Sequence, residues 1–222
     1  MAEGALGARE ERPRGGARAE RTRATLLEAA ESIFAERGFA ATRLEDVAER
    51  VGIRRASIVY HFRDKRELYG AVLDELVQGL YEPVERALDQ GGPLGDRVEG
   101  AVSVFVDFIA ERPSAARILL REIADGSPDN PPQLVRHLAV SFTPLVLRVR
   151  GVGQRARRYP KADPTQIASA IAGTTIFQLA AVPTLAPGLD YDPREPERLE
   201  ALRAQVMGLA RGLLGEHSGV EE

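Results

Sequence analysis

The sequence contains no cysteine and no tryptophan, and it has only three histidines. Without cysteine there is no disulfide, no thiolate nucleophile and no cysteine-ligated metal site. His61, His137 and His217 lie far apart in the sequence, and no His-Glu-x-x-His pair occurs, so we expect no zinc site. Gly151-Val152-Gly153 lacks the preceding strand and the third glycine of a dinucleotide-binding loop. These absences predict a protein that is not an enzyme and that has no cofactor.

Long apolar runs are also missing. No run approaches the roughly 18–20 residues that span a bilayer, and the arginine- and glutamate-rich N-terminus does not resemble a signal peptide. The chain has 222 residues, of which 44% are hydrophobic and 28% charged, which is ordinary for a globular protein. The composition predicts a cytoplasmic protein without membrane contact, whose core needs no disulfide or metal.

The net charge of −3 conceals an uneven distribution. Residues 1–66 carry 14 basic and 11 acidic side chains, whereas the rest of the chain is acidic. Between Arg50 and Arg66 six side chains are basic and one, Asp64, is acidic. A basic patch on an acidic body is what local contact with a polyanion requires, although a solvated helix face would look similar.

Helical periodicity dominates the chain, and the pattern predicts three short helices at the N-terminal end. The first runs from about Arg18 to Arg37 and ends at Gly38. A Ser/Thr-x-x-Glu capping box at 42–45 opens the second, which Gly52 ends, and the third covers about 56–62. Another capping box at 64–67 begins a long helix with Pro83 in it.

Six further helices follow, counting this long one. Gly91-Gly92-Pro93 and Pro113 break the pattern, and an apolar stripe marks another helix at 134–149. Asp163-Pro164 and Asp192-Pro193 each offer an N-cap aspartate before an N1 proline. The sequence thus predicts an all-α protein: a disordered basic tail (1–17), a three-helix helix-turn-helix domain (18–66), a larger six-helix ligand-binding and dimerisation domain (67–215) and a disordered C-terminus (216–222).

The second and third helices, at 42–51 and 54–61, are joined by a tight glycine-containing turn, as in a helix-turn-helix. In that motif the second helix enters the major groove of DNA. Ile53, Ile58 and Phe62 would face inward. Arginine suits guanine edges, valine the thymine methyl group, and serine, tyrosine and lysine suit phosphates. The outward positions would be Arg54, Arg55, Ser57, Val59 and Tyr60.

Three segments carry a more specific resemblance: GFAATRLEDVA at 38–48, VGI at 51–53 and SIVYHFRDKREL at 57–68. Together they resemble the DNA-binding domain of the tetracycline-repressor (TetR) family over about Thr22 to Val72, with no gap. The resemblance implies phosphate contacts by Thr42, Ser57, Tyr60 and Lys65. It implies base reading by Arg54, Arg55 and Val59. The full predicted DNA-binding set is Thr42, Arg43, Arg54, Arg55, Ser57, Val59, Tyr60, His61 and Lys65.

Some positions depart from the family pattern or allow another interpretation. Val59 replaces a usual aromatic residue, Ala56 a frequent glycine and Arg54 a frequent capping serine, so an operator sequence cannot be transferred. Tyr60 and His61 could instead be core residues. The arginines of the tail could be merely solvated or could enter the minor groove. A helical small-molecule-binding protein with a decayed DNA-binding domain is the alternative function.

The resemblance also implies a ligand-gated homodimer that binds a palindromic operator in double-stranded DNA. Repression is the family's usual mode. The spacing of apolar residues on the last helix suits helix pairing, although both stripes could pack within one subunit. The predicted interface comprises Ile167, Ala170, Ile171, Thr174, Leu199, Leu202, Val206, Leu209 and Leu213.

A small-molecule effector is expected between the helices of the larger domain. The few ionisable groups in its stripes favour an apolar or amphipathic molecule, although each lining residue could be ordinary core. The candidate pocket residues are Phe105, Phe108, Ile118, Glu122, Phe142, Leu145, Phe177 and Gln178, with Asn130 and His137 as further polar candidates.

Overall fold

A computed structural model of the chain describes residues 14–125, 136, 142–144, 164–185, 188 and 191–214. These residues form helices and connecting turns, without a strand among them, which confirms the predicted all-α class. The helix predicted at 134–149 lies outside the described residues, apart from four positions. The helices are α1 (Arg14–Ala41), α2 (Leu44–Val51), α3 (Arg55–His61), α4 (Lys65–Asp89), α5 (Leu94–Glu111), α6 (Pro113–Asp125), α7 and α8 (Pro196–Leu214). Helix α7 begins as Pro164–Ile176, passes through a π-helical segment, Phe177–Ala181, and ends as Val182–Leu185.

The N-terminal unit packs α1, α2, α3 and the start of α4 around one apolar cluster, which α6 also joins. Ile58 and Phe62, two predicted inward positions, are buried, and Ile53 is half-buried. The rings of Phe34, Phe39 and Tyr69 pack together, with centroids 4.7–6.3 Å apart. Ile58 of the short helix α3 belongs to this cluster, and α3 packs on α2.

Helix α1 is longer than predicted at both ends. It begins at Arg14, so residues 14–17 are helical and not part of a disordered tail. Gly38 has φ 77°, which favours glycine, and it interrupts the regular helix as predicted. One further turn, Phe39 to Ala41, follows it because Lys65 satisfies the carbonyl groups there.

The predicted capping box at 42–45 is wrong by one residue. Arg43 is the N-cap residue of α2, and its backbone N–H donates to Oδ2 of Asp46 at 2.8 Å. The Thr42 hydroxyl instead donates to the Gly38 carbonyl at 2.8 Å. The predicted box at 64–67 is confirmed in its first half: the Asp64 side chain accepts from the Glu67 amide at 2.9 Å. This hydrogen bond lowers the pKa of Asp64.

The C-terminal body has its own apolar core, in which α5 packs against α4 and α8, and α8 against α7. Helix α7 starts at Pro164, as predicted. The last helix does not start at Pro193. The Asp192 side chain accepts from the Arg194 amide at 3.0 Å and closes a turn, so α8 begins at Pro196.

Helix α7 is more apolar than the sequence analysis allowed. Gln166–Leu185 is long and apolar enough to cross a membrane by length and composition, with a mean hydropathy of 1.4. A single helix of this kind is weak evidence for a membrane. Only 17% of its apolar window is buried within the chain, so α7 presents apolar surface outward.

Candidate DNA-binding surface and effector-binding body

Helix α3 presents most of its predicted recognition residues on an exposed face. Arg54 is its N-cap residue, and Val59 and Tyr60 are 45% and 83% exposed. Ile58 is fully buried and anchors the helix from behind. The burial pattern brings Arg54, Arg55, Ser57, Val59 and Tyr60 together as the sequence predicted. Tyr60 is therefore not a core residue.

His61 occupies an intermediate position. Its side chain is half-buried, and its ring lies edge-on to that of Tyr60 at a centroid distance of 5.2 Å. The last residue of a helix facing both its neighbour and solvent can serve either packing or phosphate contact.

The arginines around α3 differ in their neighbours. Arg55 Nε lies 3.0 Å from Glu45 Oε1, and Arg63 Nε lies 3.6 Å from Asp64 Oδ2. Arg43, Arg54 and Arg66 are exposed and form no ion pair within the described part of the chain. Arg54, the N-cap residue of α3, is therefore exposed at the start of the recognition helix without an ion-pair partner in those segments.

The Lys65 side chain, predicted to contact phosphate, is bonded within the protein in this structure. The Lys65 ammonium donates to the carbonyl oxygens of Phe39, Ala40 and Thr42 at 2.7, 3.2 and 2.9 Å. A cation at the carbonyl end of a helix is favourable, because it complements the helix dipole and the unpaired carbonyls. All three ammonium hydrogens have acceptors, so Lys65 caps α1.

Thr42 also has a structural role that the sequence did not predict. The residue is only 1% exposed, and its hydroxyl is bonded to Gly38. The hydroxyl predicted to contact phosphate therefore has a partner within the protein in this structure.

The predicted pocket residues do not form one group. Phe105 and Phe108 on α5 are half-buried, and the Phe142 ring lies edge-on to Tyr81 at 5.7 Å. These three remain near the core of the body. Leu145, Asn130 and His137 lie outside the described residues. Ile118 is 1% exposed and belongs to the N-terminal cluster.

Three other predicted pocket residues have different surroundings in this structure. Phe177 is 53% exposed and lies on the outer face of α7. The Gln178 side chain connects α7 to α8 by donating to Gln205 Oε1 at 3.1 Å, and it accepts from the Tyr191 hydroxyl. Glu122 accepts from the Tyr69 hydroxyl at 2.8 Å. Burial, together with this carboxylate, raises the pKa of Tyr69.

Thr175 is a candidate residue that the sequence analysis missed. Its side chain is fully buried, two residues before the π-helical segment of α7, and its Oγ1 has no hydrogen-bond partner among the described residues. A buried hydroxyl without a partner costs about 1–3 kcal/mol, and π-helical segments frequently occur at functional sites. Thr175 follows the buried Ile167 and Ile171 at a spacing of four residues, so the apolar stripe of this helix was the signal that could have marked it.

A polar cluster connects the two units. The buried Glu31 of α1 accepts from Arg112 Nη2 at 2.7 Å and from the Ser114 hydroxyl, both at the junction of α5 and α6. Arg121 of α6 donates to the carbonyls of Ala35 and Glu36 at 3.1 and 2.8 Å. Arg112 also lies over the Phe108 ring, 5.8 Å from its centroid. Helix α1 is thereby tied to α6 and to a predicted pocket residue.

The predicted dimer interface needs correction. Ile167, Ile171, Leu202 and Val206 are at most 9% exposed and lie in the core of the body. They face inward because α7 and α8 pack against α5 through them. The other members of the predicted interface are half-buried: Ala170, Thr174, Leu199, Leu209 and Leu213.

Comparison with known proteins agrees with this architecture. Residues 26–72 match the family described as "Bacterial regulatory proteins, tetR family". This segment covers α2, α3 and the parts of α1 and α4 that pack on them.

Solved structures are similar over nearly the whole chain. A tetR-family regulatory protein from Rhodococcus RHA1 has 23% identity and a TM-score of 0.66, over 87% of this chain and 96% of its own. A fatty acid degradation regulator from Bacillus halodurans has 14% identity and a TM-score of 0.65, over 93% and 97%. A ketosteroid transcriptional regulator of Mycobacterium tuberculosis has 22% identity and a TM-score of 0.65, over 86% and 93%.

At these identities the likeness shows the fold of the whole chain, and the matched segment identifies the N-terminal domain. Both agree with the helix-turn-helix geometry of α2 and α3 and with the expected resemblance. Residues 26–72 therefore form a DNA-binding domain of the tetR family of bacterial regulatory proteins, within a chain that has the fold of solved tetR-family regulators.

Proposed function

We propose that the chain is a ligand-responsive repressor, which binds a palindromic operator as a homodimer and leaves it when an apolar or amphipathic effector binds. The exposed face of α3, with Arg54 and Arg55 at its start and Ile58 anchoring it, is the observation that carries the proposal. Arginine can bond both acceptors of a guanine edge, and Val59 can contact a thymine methyl group. Ser57 and Tyr60 suit phosphate oxygens.

Exposed residues on α7 and α8 support the homodimer. We call this surface the α7–α8 face. It includes Ala170 and Thr174 from the predicted interface, and it leaves out the four residues of that interface that are buried in the core. Small residues on such a face allow two helices to approach closely, and an apolar helix so little buried within its own chain gains from a partner. The added members of the face are Gly173, Phe177, Leu185, Ala201, Ala204, Gly208 and Gly212.

Gly208→Arg tests this face. A Cβ at Gly208 meets no atom within 4 Å in the single chain, so the variant should fold but should not dimerise. Gly91→Arg is the matched control, because Gly91 has the same free space in a loop between α4 and α5. Sedimentation should give a monomer for Gly208→Arg and a dimer for the control. A dimer for both would reject the α7–α8 face.

The chemistry of the body supports the effector class. Phe105, Phe108 and Phe142 supply apolar surface, and Thr175 supplies a hydroxyl that an effector's polar group can satisfy. Two of the similar structures are a fatty acid degradation regulator and a ketosteroid transcriptional regulator. An amphipathic molecule of mostly hydrocarbon character fits both observations.

The polar cluster between the units offers a route from effector to DNA. An effector that displaces Phe108 would act on Arg112, which is bonded to Glu31 of α1. Because α1 carries the helix-turn-helix, movement at this junction changes the distance between the recognition helices of a dimer. An effector that binds more tightly to the dimer with one distance between its recognition helices than to the dimer with the other is sufficient to release the protein from DNA.

Selection of duplexes from random DNA by the purified protein tests the whole proposal. Dimeric binding predicts a recovered sequence with two inverted half-sites, centred about one helical turn or a multiple of it apart. Recovery of no common sequence would reject operator binding and favour a helical ligand-binding protein. A single half-site would reject the symmetric dimer on DNA.

A further inference from the structure

An acidic side chain lies beside the start of the recognition helix. Glu45 belongs to the first turn of α2, and its Oε1 lies 3.0 Å from Nε of Arg55, the first residue of α3. Both side chains are more than half exposed, Glu45 at 58% and Arg55 at 62%. The pair therefore lies on the outer surface of the helix-turn-helix and not in its core.

The other two carboxylates of α2 have different surroundings. Asp46 accepts from the Arg43 amide and lies 3.1 Å from Arg37 of α1, so it closes the start of α2 and connects it to α1. Glu49 is exposed and forms no ion pair with a described residue. Of these three acidic residues, Glu45 is the one that pairs with the recognition helix.

A carboxylate at this position is unfavourable for the general binding of DNA. It repels the phosphates, and its pairing with Arg55 offsets one positive charge of the surface. Arg54, one position earlier, is exposed and has no ion pair within the described part of the chain. Two neighbouring arginines therefore differ: Arg54 can contact any phosphate within its reach, whereas Arg55 is already paired.

The pairing limits the ways in which Arg55 can bind DNA. A guanidinium is a rigid fork of N–H donors, so a pair through Nε leaves donors on Nη1 and Nη2 for the acceptors of a guanine edge. A side chain that is already held loses less rotamer freedom when it binds a base. To reach a phosphate elsewhere, however, the same guanidinium has to leave the carboxylate.

We infer that Glu45 is a specificity-determining residue, which holds Arg55 for reading a guanine edge and keeps it from binding backbone phosphates. The inference rests on the proposed function, because it needs α3 on DNA. Contacts with phosphates carry no sequence information, whereas contacts with base edges do. Glu45 therefore lowers the affinity for all DNA and raises the preference for the recognised sequence.

The test introduces Glu45→Gln into wild type, into Arg55→Ala and into Arg54→Ala, and compares each pair of proteins on two duplexes. One duplex contains the sequence that wild-type protein selects from random DNA, and the other has the same bases in scrambled order. Glu49→Gln is the matched control, because it removes a negative charge from the same helix at an exposed position. Fluorescence anisotropy over a range of salt concentrations gives the affinities and their salt dependence.

The preference of a variant is its affinity for the selected duplex divided by its affinity for the scrambled one. Glu45→Gln should bind both duplexes more tightly, and its preference should fall by about threefold, within the range of an exposed ion pair. On the scrambled duplex its plot of log affinity against log salt should be steeper by about 0.9 per subunit, because the released Arg55 gains a phosphate contact. Glu45→Gln should leave the preference unchanged in the Arg55→Ala background and lower it in the Arg54→Ala background. Glu49→Gln should change both affinities by the same factor.

The guanine itself gives a second readout. Replacement of each guanine of the selected half-site in turn should identify one whose loss weakens binding by wild type but not by Arg55→Ala. At that position Glu45→Gln should tolerate the replacement better than wild type does, because its Arg55 can bind a phosphate instead. The absence of such a guanine would overturn the inference.

A preference of Glu45→Gln equal to or above that of wild type would also overturn the inference, while leaving the proposed function intact. So would a fall in preference that persists without Arg55 or that Glu49→Gln reproduces, because the carboxylate would then act through its charge alone. Failure of wild type to select any sequence would overturn the proposed function and this inference together.

Discussion

The Lys65 ammonium lies 2.7 Å from the carbonyl oxygen of Phe39 and 4.5 Å from the centroid of the Phe39 ring. One side chain at the start of α4 thus closes the end of α1 and contacts an aromatic residue of the core. The family motif of the recognition region includes this lysine, but its bonds here are those of a helix cap. The contacts of Lys65 explain why α1 continues for a turn past Gly38.

Lys65→Met should therefore destabilise the protein. The substitution keeps the apolar stem and removes bonds from a charged donor to three carbonyls, so the free energy of unfolding should fall by about 2–3 kcal/mol. Urea denaturation at pH 7 measures the change. Arg66→Met, at the exposed neighbouring position, is the control and should have little effect. Unchanged stability in Lys65→Met, with weaker DNA binding, would restore the phosphate role.

Glu45→Gln should strengthen DNA binding. Glu45 lies 3.0 Å from Arg55, and both side chains are more than half exposed. When Arg55 binds DNA, its guanidinium must leave the Glu45 carboxylate or interact with it and the DNA at once. The carboxylate also repels the phosphates. Exposed pairs contribute about 0.2–1 kcal/mol, so affinity should rise by a factor between about 1.4 and 5. Anisotropy on the selected duplex measures it, with the exposed Glu49→Gln of the same helix as control. An affinity equal to or below that of wild type would contradict the prediction.

The pair of Glu31 and Arg112 should couple the two units energetically. Glu31 is buried and Arg112 is a third exposed, so Arg112→Met should cost about 2 kcal/mol, less than the 3–5 kcal/mol of a fully buried pair. Glu31→Gln, Arg112→Met and the double variant form a thermodynamic cycle in urea. The double variant should be more stable than the sum of the single effects predicts. Additive effects would mean that this pair does not connect α1 to the α5–α6 junction.

Thr175→Val should stabilise the protein in the absence of effector. Valine has the shape of threonine but needs no hydrogen bond, so removal of an unpaired buried hydroxyl should raise the free energy of unfolding by about 1 kcal/mol. Thr174→Val, at the half-buried neighbouring position, is the control and should change stability less. A loss of stability in Thr175→Val would mean that its hydroxyl is bonded in the free protein, and the effector role would fail.

Local signals in the sequence predicted a helix boundary correctly where a single residue sets that boundary. Gly52 has the left-handed conformation expected at the end of α2, and Pro164 begins α7. The last helix was placed too early because two prolines, Pro193 and Pro196, fit an N1 position equally. Only the turn closed by Asp192 distinguishes them.

Tertiary contacts were harder to predict. The stripe of Leu202 and Val206 has the spacing of a pairing seam, but the same spacing suits packing against α5 in one chain. Periodicity gives the apolar face of a helix and not the identity of the neighbour. Likewise the charge of Lys65 is visible in the sequence, whereas the carbonyls that it binds come from residues more than twenty positions earlier.

Binding of the selected duplex by wild type and by Arg54→Ala/Arg55→Ala tests the central claim most directly, which is that α3 reads DNA. Wild-type protein should bind the selected duplex far more tightly than it binds random DNA, and its affinity should fall as the salt concentration rises. The double variant should lose most of this preference, because arginine contacts to bases contribute about 1–3 kcal/mol each. A variant that keeps the wild-type preference for the selected sequence would contradict the recognition role of α3.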